Sequence, residues 1–216
     1  MTAPDVDPRQ RDVRTTPRLF IAIPLAESAR AAVEELVEEV RSGLRNEGDD
    51  GRRADPRRTE VRWVRMDGLH LTLRFLGPTP RDRTADLAQI VDETATAAPP
   101  FEVEIAGGGA FPSAARPRAL WLGIARGQDE IGAVAGNLSR RLQAAGWPAE
   151  PRPFRGHLTL GRADGRPDGR RAVRILEEVA SRFRTHFEAD RLVLFESVTG
   201  RGPARYEPVH EARFSG

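Results

Sequence analysis

Cysteine is absent from this 216-residue chain, and so is lysine. Without cysteine there is no disulfide framework and no thiolate metal site. Long apolar runs are lacking too, so nothing in the sequence reads as a bilayer span and no membrane partner is expected. Residues 1–17 mix acids, arginine and proline and lack the apolar segment of a secretory signal. These absences together predict a cytoplasmic protein. Two catalytic signatures are also missing: no His-Glu-x-x-His zinc motif and no Gly-x-Ser-x-Gly elbow occurs. Gly107-Gly108-Gly109 lacks the Lys-Ser/Thr of a phosphate-cradling loop and reads as a bulge or turn.

What is present is a soluble, globular balance, with 39% hydrophobic and 31% charged residues. All the side-chain cations counted as Lys+Arg are arginine, yet the net charge is only +2, which excludes a polycation. The guanidinium fork suits phosphate. Most of the arginine reads as composition bias, since Ala, Gly and Pro are also plentiful. The arginines near the histidine motifs are the candidates for function.

The strongest pattern is a repeat. His70-Leu71-Thr72-Leu73 returns as His157-Leu158-Thr159-Leu160, 87 residues later. In a strand, successive side chains point to opposite faces. Leu69, Leu71, Leu73 and Phe75 are expected to face a core, and His70, Thr72 and Arg74 the other side. In the second copy Leu158 and Leu160 face inward and His157 and Thr159 outward. Each copy thus presents an imidazole and a hydroxyl together on an open sheet face.

Around the motifs, short apolar or alternating runs predict strands at 19–24, 61–64, 101–105, 119–124 and 192–195, with a final extended segment over 204–214. Helical spacing of apolar residues predicts helices over 27–44, after Thr79-Pro80, around 131–142 (closed by Gly146 and Pro148), and around 173–183. Residues 1–17 read as a disordered tail, and 46–59 as a mobile loop within a single bilobal unit spanning 18–216. The intermixed elements predict an α+β fold of two similar lobes, mainly antiparallel sheet with outer helices. A central cleft between the lobes would carry both motifs. Monomer is the default state.

Two histidines with ordinary pKa values of ~6.5 can share acid and base work at neutral pH. One removes a proton from water or a hydroxyl, and the other donates to a leaving oxygen. Adjacent threonine hydroxyls can donate to non-bridging phosphate oxygens. That chemistry suits attack on a phosphodiester without a metal. A zinc site that adds His186 and His210 to His70 and His157 lacks a ligand spacing to support it, so those two read as structural or surface residues.

The ordered series Arg18–Ala22, Trp63-Val64, Leu69–Gly77, Gly109–Pro112, Arg118–Gly123, Pro153–Arg162, Phe195–Ser197 and Ala204–Tyr206 resembles the two-histidine phosphoesterase superfamily. Within it, the series resembles the RNA 2′,3′-cyclic phosphodiesterases, also called 2′-5′ RNA ligases. The resemblance implies hydrolysis of a 2′,3′-cyclic phosphate, on RNA or a nucleotide, to a 2′-phosphomonoester without cofactor or metal. By that likeness His70 is the proton donor to the departing 3′ oxygen and His157 the proton acceptor from water. Thr72 and Thr159 hold the phosphate. Arg162 matches an arginine that contacts phosphate, although strict alternation places it on the Leu158 face unless the strand bulges at Gly161. Phe20, Phe75 and Phe154 are read first as core residues and second as base-stacking residues. Two departures stand out: a long 46–59 stretch, and Gly156 where proline is common. Reversible 2′-5′ joining of RNA ends, or RNA or nucleotide binding without catalysis, are the alternatives.

Overall fold

Short alternating runs become strands here, and four amphipathic stretches become helices. The computed structural model describes residues 16–46, 61–163, 167–200 and 202–216. The expected tail and the expected 46–59 loop fall outside these residues, apart from Thr16, Pro17 and Asn46.

Among the described residues, nine strands form two sheets in which every pairing is antiparallel. The first sheet contains β1 (Arg18–Pro24), β3 (His70–Pro78), β8 (Arg191–Gly200) and β9 (Gly202–Arg213), in the order β3-β1-β8-β9. The second contains β2 (Arg62–Trp63), β4 (Phe101–Phe111), β5 (Ala119–Arg126), β6 (Leu158–Arg162) and β7 (Arg184–Ala189), in the order β2-β6-β5-β4-β7. The helices are α1 (Glu27–Asn46), α2 (Thr84–Thr96), α3 (Gln128–Ala144) and α4 (Pro167–Arg182).

The helices tie the lobes together by exchange. Helix α1 leaves β1 of the first sheet but packs on β7 and α4, and α4 covers β4 of the second sheet. Helix α3 leaves β5 of the second sheet but packs on β3 and α2, and α2 covers β8 and β9 of the first. Their apolar stripes (Val33, Leu36 and Val40 on α1; Ile131, Leu138 and Leu142 on α3) are buried in one continuous core. Burying such stripes is the dominant favourable term in folding. Strands β3 and β6, one from each sheet, lie beside each other. That adjacency brings the two repeats together.

Helix α3 closes as its sequence indicates. Gly146 takes φ +87°, its N–H reaches the Gln143 carbonyl, and the Trp147 N–H reaches the Leu142 carbonyl. Gly107 is an extra residue between the Ala106–Gly123 and Gly108–Leu122 pairs, with φ +66°, so the bulge reading holds. Strand β4 nevertheless continues past Ile105 to Phe111. At Gly109 a Cβ would lie 2.7 Å from the Trp121 ring, so glycine admits the indole.

Two expectations need correction. Helix α2 begins at Thr84, after a 3₁₀ turn over Arg81–Arg83, rather than at Thr79-Pro80. Strand β7 has no counterpart in the sequence reading. It is an edge strand whose inward residues, Phe187 and Ala189, alternate with exposed Arg184, His186 and Glu188. Six residues of that kind, directly after a helix, give too short a period to register.

Candidate active site

The first motif opens β3. His70 pairs with Pro24 and Thr72 with Ala22 on β1, while Leu71 points into the core. Alternation then breaks. Thr72 pairs with Ala22 but Arg74 pairs with Ile21, which leaves Leu73 as an extra residue. A bulge of this kind reverses the parity of the residues beyond it. Arg74 therefore turns inward and is only 5% exposed, while Phe75 turns outward and is 65% exposed. This reverses the expected sides of both residues.

The second motif leads into β6 in the same way. Leu158 and Leu160 are fully buried, and Thr159 lies opposite Trp121 on β5. The register then slips at Leu160: Gly161 pairs with Leu120, and Arg162 with Ala119. Ala119 and Trp121 share a face, so Arg162 joins Thr159 instead of Leu158. The bulge that simple alternation required for Arg162 is present, at the same place in the motif as its counterpart in the first lobe.

Each histidine is anchored alike. The Nδ1 of His70 lies 2.7 Å from the Gly68 carbonyl, and that of His157 lies 2.8 Å from the Arg155 carbonyl. A carbonyl only accepts, so each Nδ1 carries the hydrogen and donates. Each Nε2 is then the nitrogen left to exchange a proton.

Aromatic rings build the walls. His70 packs against Phe20 (centroids 4.7 Å), Phe195 (5.9 Å) and the edge of Tyr206 (4.9 Å). Burial among them pushes the His70 pKa below the ordinary histidine value, and the bond to Gly68 opposes that shift. His157 meets the edge of Phe111 at 5.0 Å, and the Arg155 guanidinium lies 5.6 Å over the same ring. Tyr206 belongs to the first sheet, yet it feels Arg162 of the second. Burial raises its phenol pKa and the Arg162 charge pulls it back. The two open faces therefore meet. Phe20 is buried, but against His70 rather than in the leucine core, while Phe75 and Phe154 are exposed. Core packing is thus the wrong reading for Phe75 and Phe154.

The structure brings His70 and Thr72 together on one face and His157, Thr159 and Arg162 on the other. Phe111, Trp121, Phe195 and Tyr206 are site residues that sequence reasoning did not single out. Their strand parity was a usable signal, since Leu192 and Leu194 face the core and leave Phe195 on the other side. His210 bonds Asp92 of α2 at 2.7 Å, and His186 is exposed on β7. Among the described residues, no group of three or more His, Asp or Glu side chains could hold a metal ion.

The family model described as the 2′-5′ RNA ligase superfamily matches residues 29–201. The chain belongs to this superfamily. Relatives within reach include an RNA 2′,3′-cyclic phosphodiesterase of Thermotoga maritima, 26% identical over 200 residues, covering 92% of this chain and 96% of that protein. A protein of the same name from Aeropyrum pernix is 27% identical over 153 residues, covering 71% of this chain and 86% of that one. The fold matches the crystal structure of E. coli LigT complexed with 3′-AMP, with TM-score 0.68, 22% identity, and coverage of 93% and 99% of the two chains. A crystal structure of a Thermus thermophilus protein superposes with TM-score 0.68, 23% identity, and coverage of 92% and 98%. Superfamily membership also agrees with the α+β, two-lobed fold. Among the described residues no helix is long and apolar enough to cross a membrane.

Proposed function

We propose that this member of the superfamily hydrolyses RNA 2′,3′-cyclic phosphate ends to 2′-phosphomonoesters, by acid–base chemistry between its two histidines and without a metal. The observation that carries this reading is the matched anchoring: two imidazoles, each with Nδ1–H tied to a backbone carbonyl, each two residues before a threonine, where the adjoining strands β3 and β6 begin. The names of the relatives supply the substrate class.

His157 Nε2 takes a proton from water as the water oxygen attacks phosphorus. The P–O3′ bond breaks, and His70 Nε2–H donates its proton to the departing 3′ oxygen. Thr72, Thr159 and Arg162 donate to the non-bridging oxygens, where charge builds up. Burial leaves His70 reluctant to hold a proton in the free protein, so the anionic substrate and its proton load together. The loaded imidazolium is then a ready donor.

The test is incubation of an oligoribonucleotide ending in a 2′,3′-cyclic phosphate, in EDTA, with the product isomers resolved. A 2′-phosphate product that is lost in both His70→Ala and His157→Ala is expected. A 3′-phosphate product would reverse the leaving oxygen. Activity surviving both substitutions, or requiring a metal, would overturn the mechanism. Supplying a second RNA with a free 5′-hydroxyl in the same assay reads out joining by the same groups.

A further inference from the structure

The bulge at Leu73 places an arginine where a leucine would be expected, and that guanidinium has no role in the chemistry above. Arg74 is buried on β3, two residues beyond Thr72 and turned by the bulge to the opposite face. Its Nη2 donates to the Pro148 carbonyl, and its Nε lies 3.4 Å from the Glu150 carboxylate. Nε and Nη1 have no hydrogen-bond partner. A buried charge of this kind is weak evidence for stability, because desolvation offsets the attraction. What it supplies is a fixed geometry.

The geometry concerns the coil from Ala145 to Gly156, which joins α3 to His157. Arg83 holds its start, donating to the Ala145 carbonyl at 2.9 Å and stacking 4.0 Å over the Trp147 ring. Arg74 holds its middle. Beyond Glu150 the coil is exposed and carries Pro151 and Pro153, whose fixed φ angles stiffen it. It then delivers Arg155, whose carbonyl accepts the Nδ1–H of His157.

We propose that Arg74 is a positioning residue for His157: from inside the first lobe it pins the coil that sets the second histidine's place and tautomer. The kinetic part of this inference rests on the phosphodiesterase reading, whereas the spectroscopic part does not.

The test is Arg74→Met, which keeps an unbranched stem in the buried position but removes the guanidinium and its grip. Nitrogen–proton correlation spectra distinguish the two ring tautomers of each histidine. The expected result is that His157 becomes a mixture of Nδ1–H and Nε2–H forms, while His70, anchored to Gly68, stays as Nδ1–H. The melting temperature should hold or rise, and kcat should fall on the order of 10²-fold, with a smaller change in KM. An unchanged His157 tautomer would overturn the proposal. So would a change in both histidines alike, which would mark a general structural role. If the wild-type protein turned over no cyclic phosphate, the function would fail and the spectra would still decide on Arg74. If Arg74→Met did not fold, the Pro151→Gly/Pro153→Gly variant, altered only at exposed positions, would take its place. It slackens the same coil, with the same His157 outcome expected and an unchanged tautomer counting against the proposal.

Discussion

Arg162→Gln separates an observation, that Arg162 faces across the cleft toward Tyr206, from the proposal that it holds phosphate there. The first is read without substrate. The Arg162 charge opposes the burial that raises the Tyr206 pKa, so removing it should move that pKa further up. Tyr206 is the only tyrosine in the chain. The change in tyrosinate absorbance with pH therefore reports this one group, since no other phenol titrates and tryptophan absorbance does not. The second is kinetic. A hydrogen bond to a charged group contributes about 1.5–3 kcal/mol, and each ~1.36 kcal/mol is a factor of ten in rate. Arg162 is exposed in the free protein, so water competes for it and the lower end applies. The expected loss in kcat/KM on a cyclic-phosphate end is roughly tenfold. An unmoved Tyr206 titration would refute the bulge-driven turn of Arg162 toward the first lobe. A shifted Tyr206 with unchanged kcat/KM would keep the geometry and refute the phosphate contact.

Tyr206→Ala should raise the His70 pKa, because burial is what depresses it. With His70 as the acid proposed above, the alkaline limb of kcat/KM should move to higher pH, while NMR titration of His70 gives the shift directly. The sign extends to stability. With its folded-state pKa depressed, wild-type His70 contributes stability above the ordinary value of ~6.5 that is lost as pH falls through the folded value. Urea midpoints across that window should slope less in the variant. Gly161→Ala would place a Cβ 2.9 Å from Val61 Cγ1 and 3.1 Å from the Arg62 carbonyl of the paired strand β2. Overpacking against backbone is expected to cost about 1–3 kcal/mol in urea denaturation, and unchanged stability would contradict the tight β2–β6 approach.

Much of the site was legible from local pattern, because strand alternation depends only on residues near each other in the chain. His70 and Thr72 sharing a face, and His157 and Thr159 sharing another, follow from that period alone. What lay beyond it depended on the partner strands. A bulge exists only relative to a neighbour, and nothing within Leu73 or Leu160 announces one, so Arg74 and Phe75 came out on the wrong sides. The aromatic wall around His70 is drawn from β1, β8 and β9, strands that sheet order makes neighbours and sequence does not. Strand β7 was lost for a different reason: its single large apolar residue, Phe187, is too little to set a period.

The matched bulges also bear on how a repeated frame acquires a direction. A perfect repeat would yield two interchangeable histidines, and the proposed reaction, which accepts a proton at one and releases one at the other, needs them to differ. The frame treats them identically, down to the bond from each Nδ1. The neighbours do not: three aromatic rings crowd His70 and one meets His157. Five residues after each histidine, the same slip in register turns out Phe75 in one lobe and Arg162 in the other. The repeated motif sets where the atoms lie, and the broken symmetry at these two positions gives an apolar side and a cationic side to whatever lies between them.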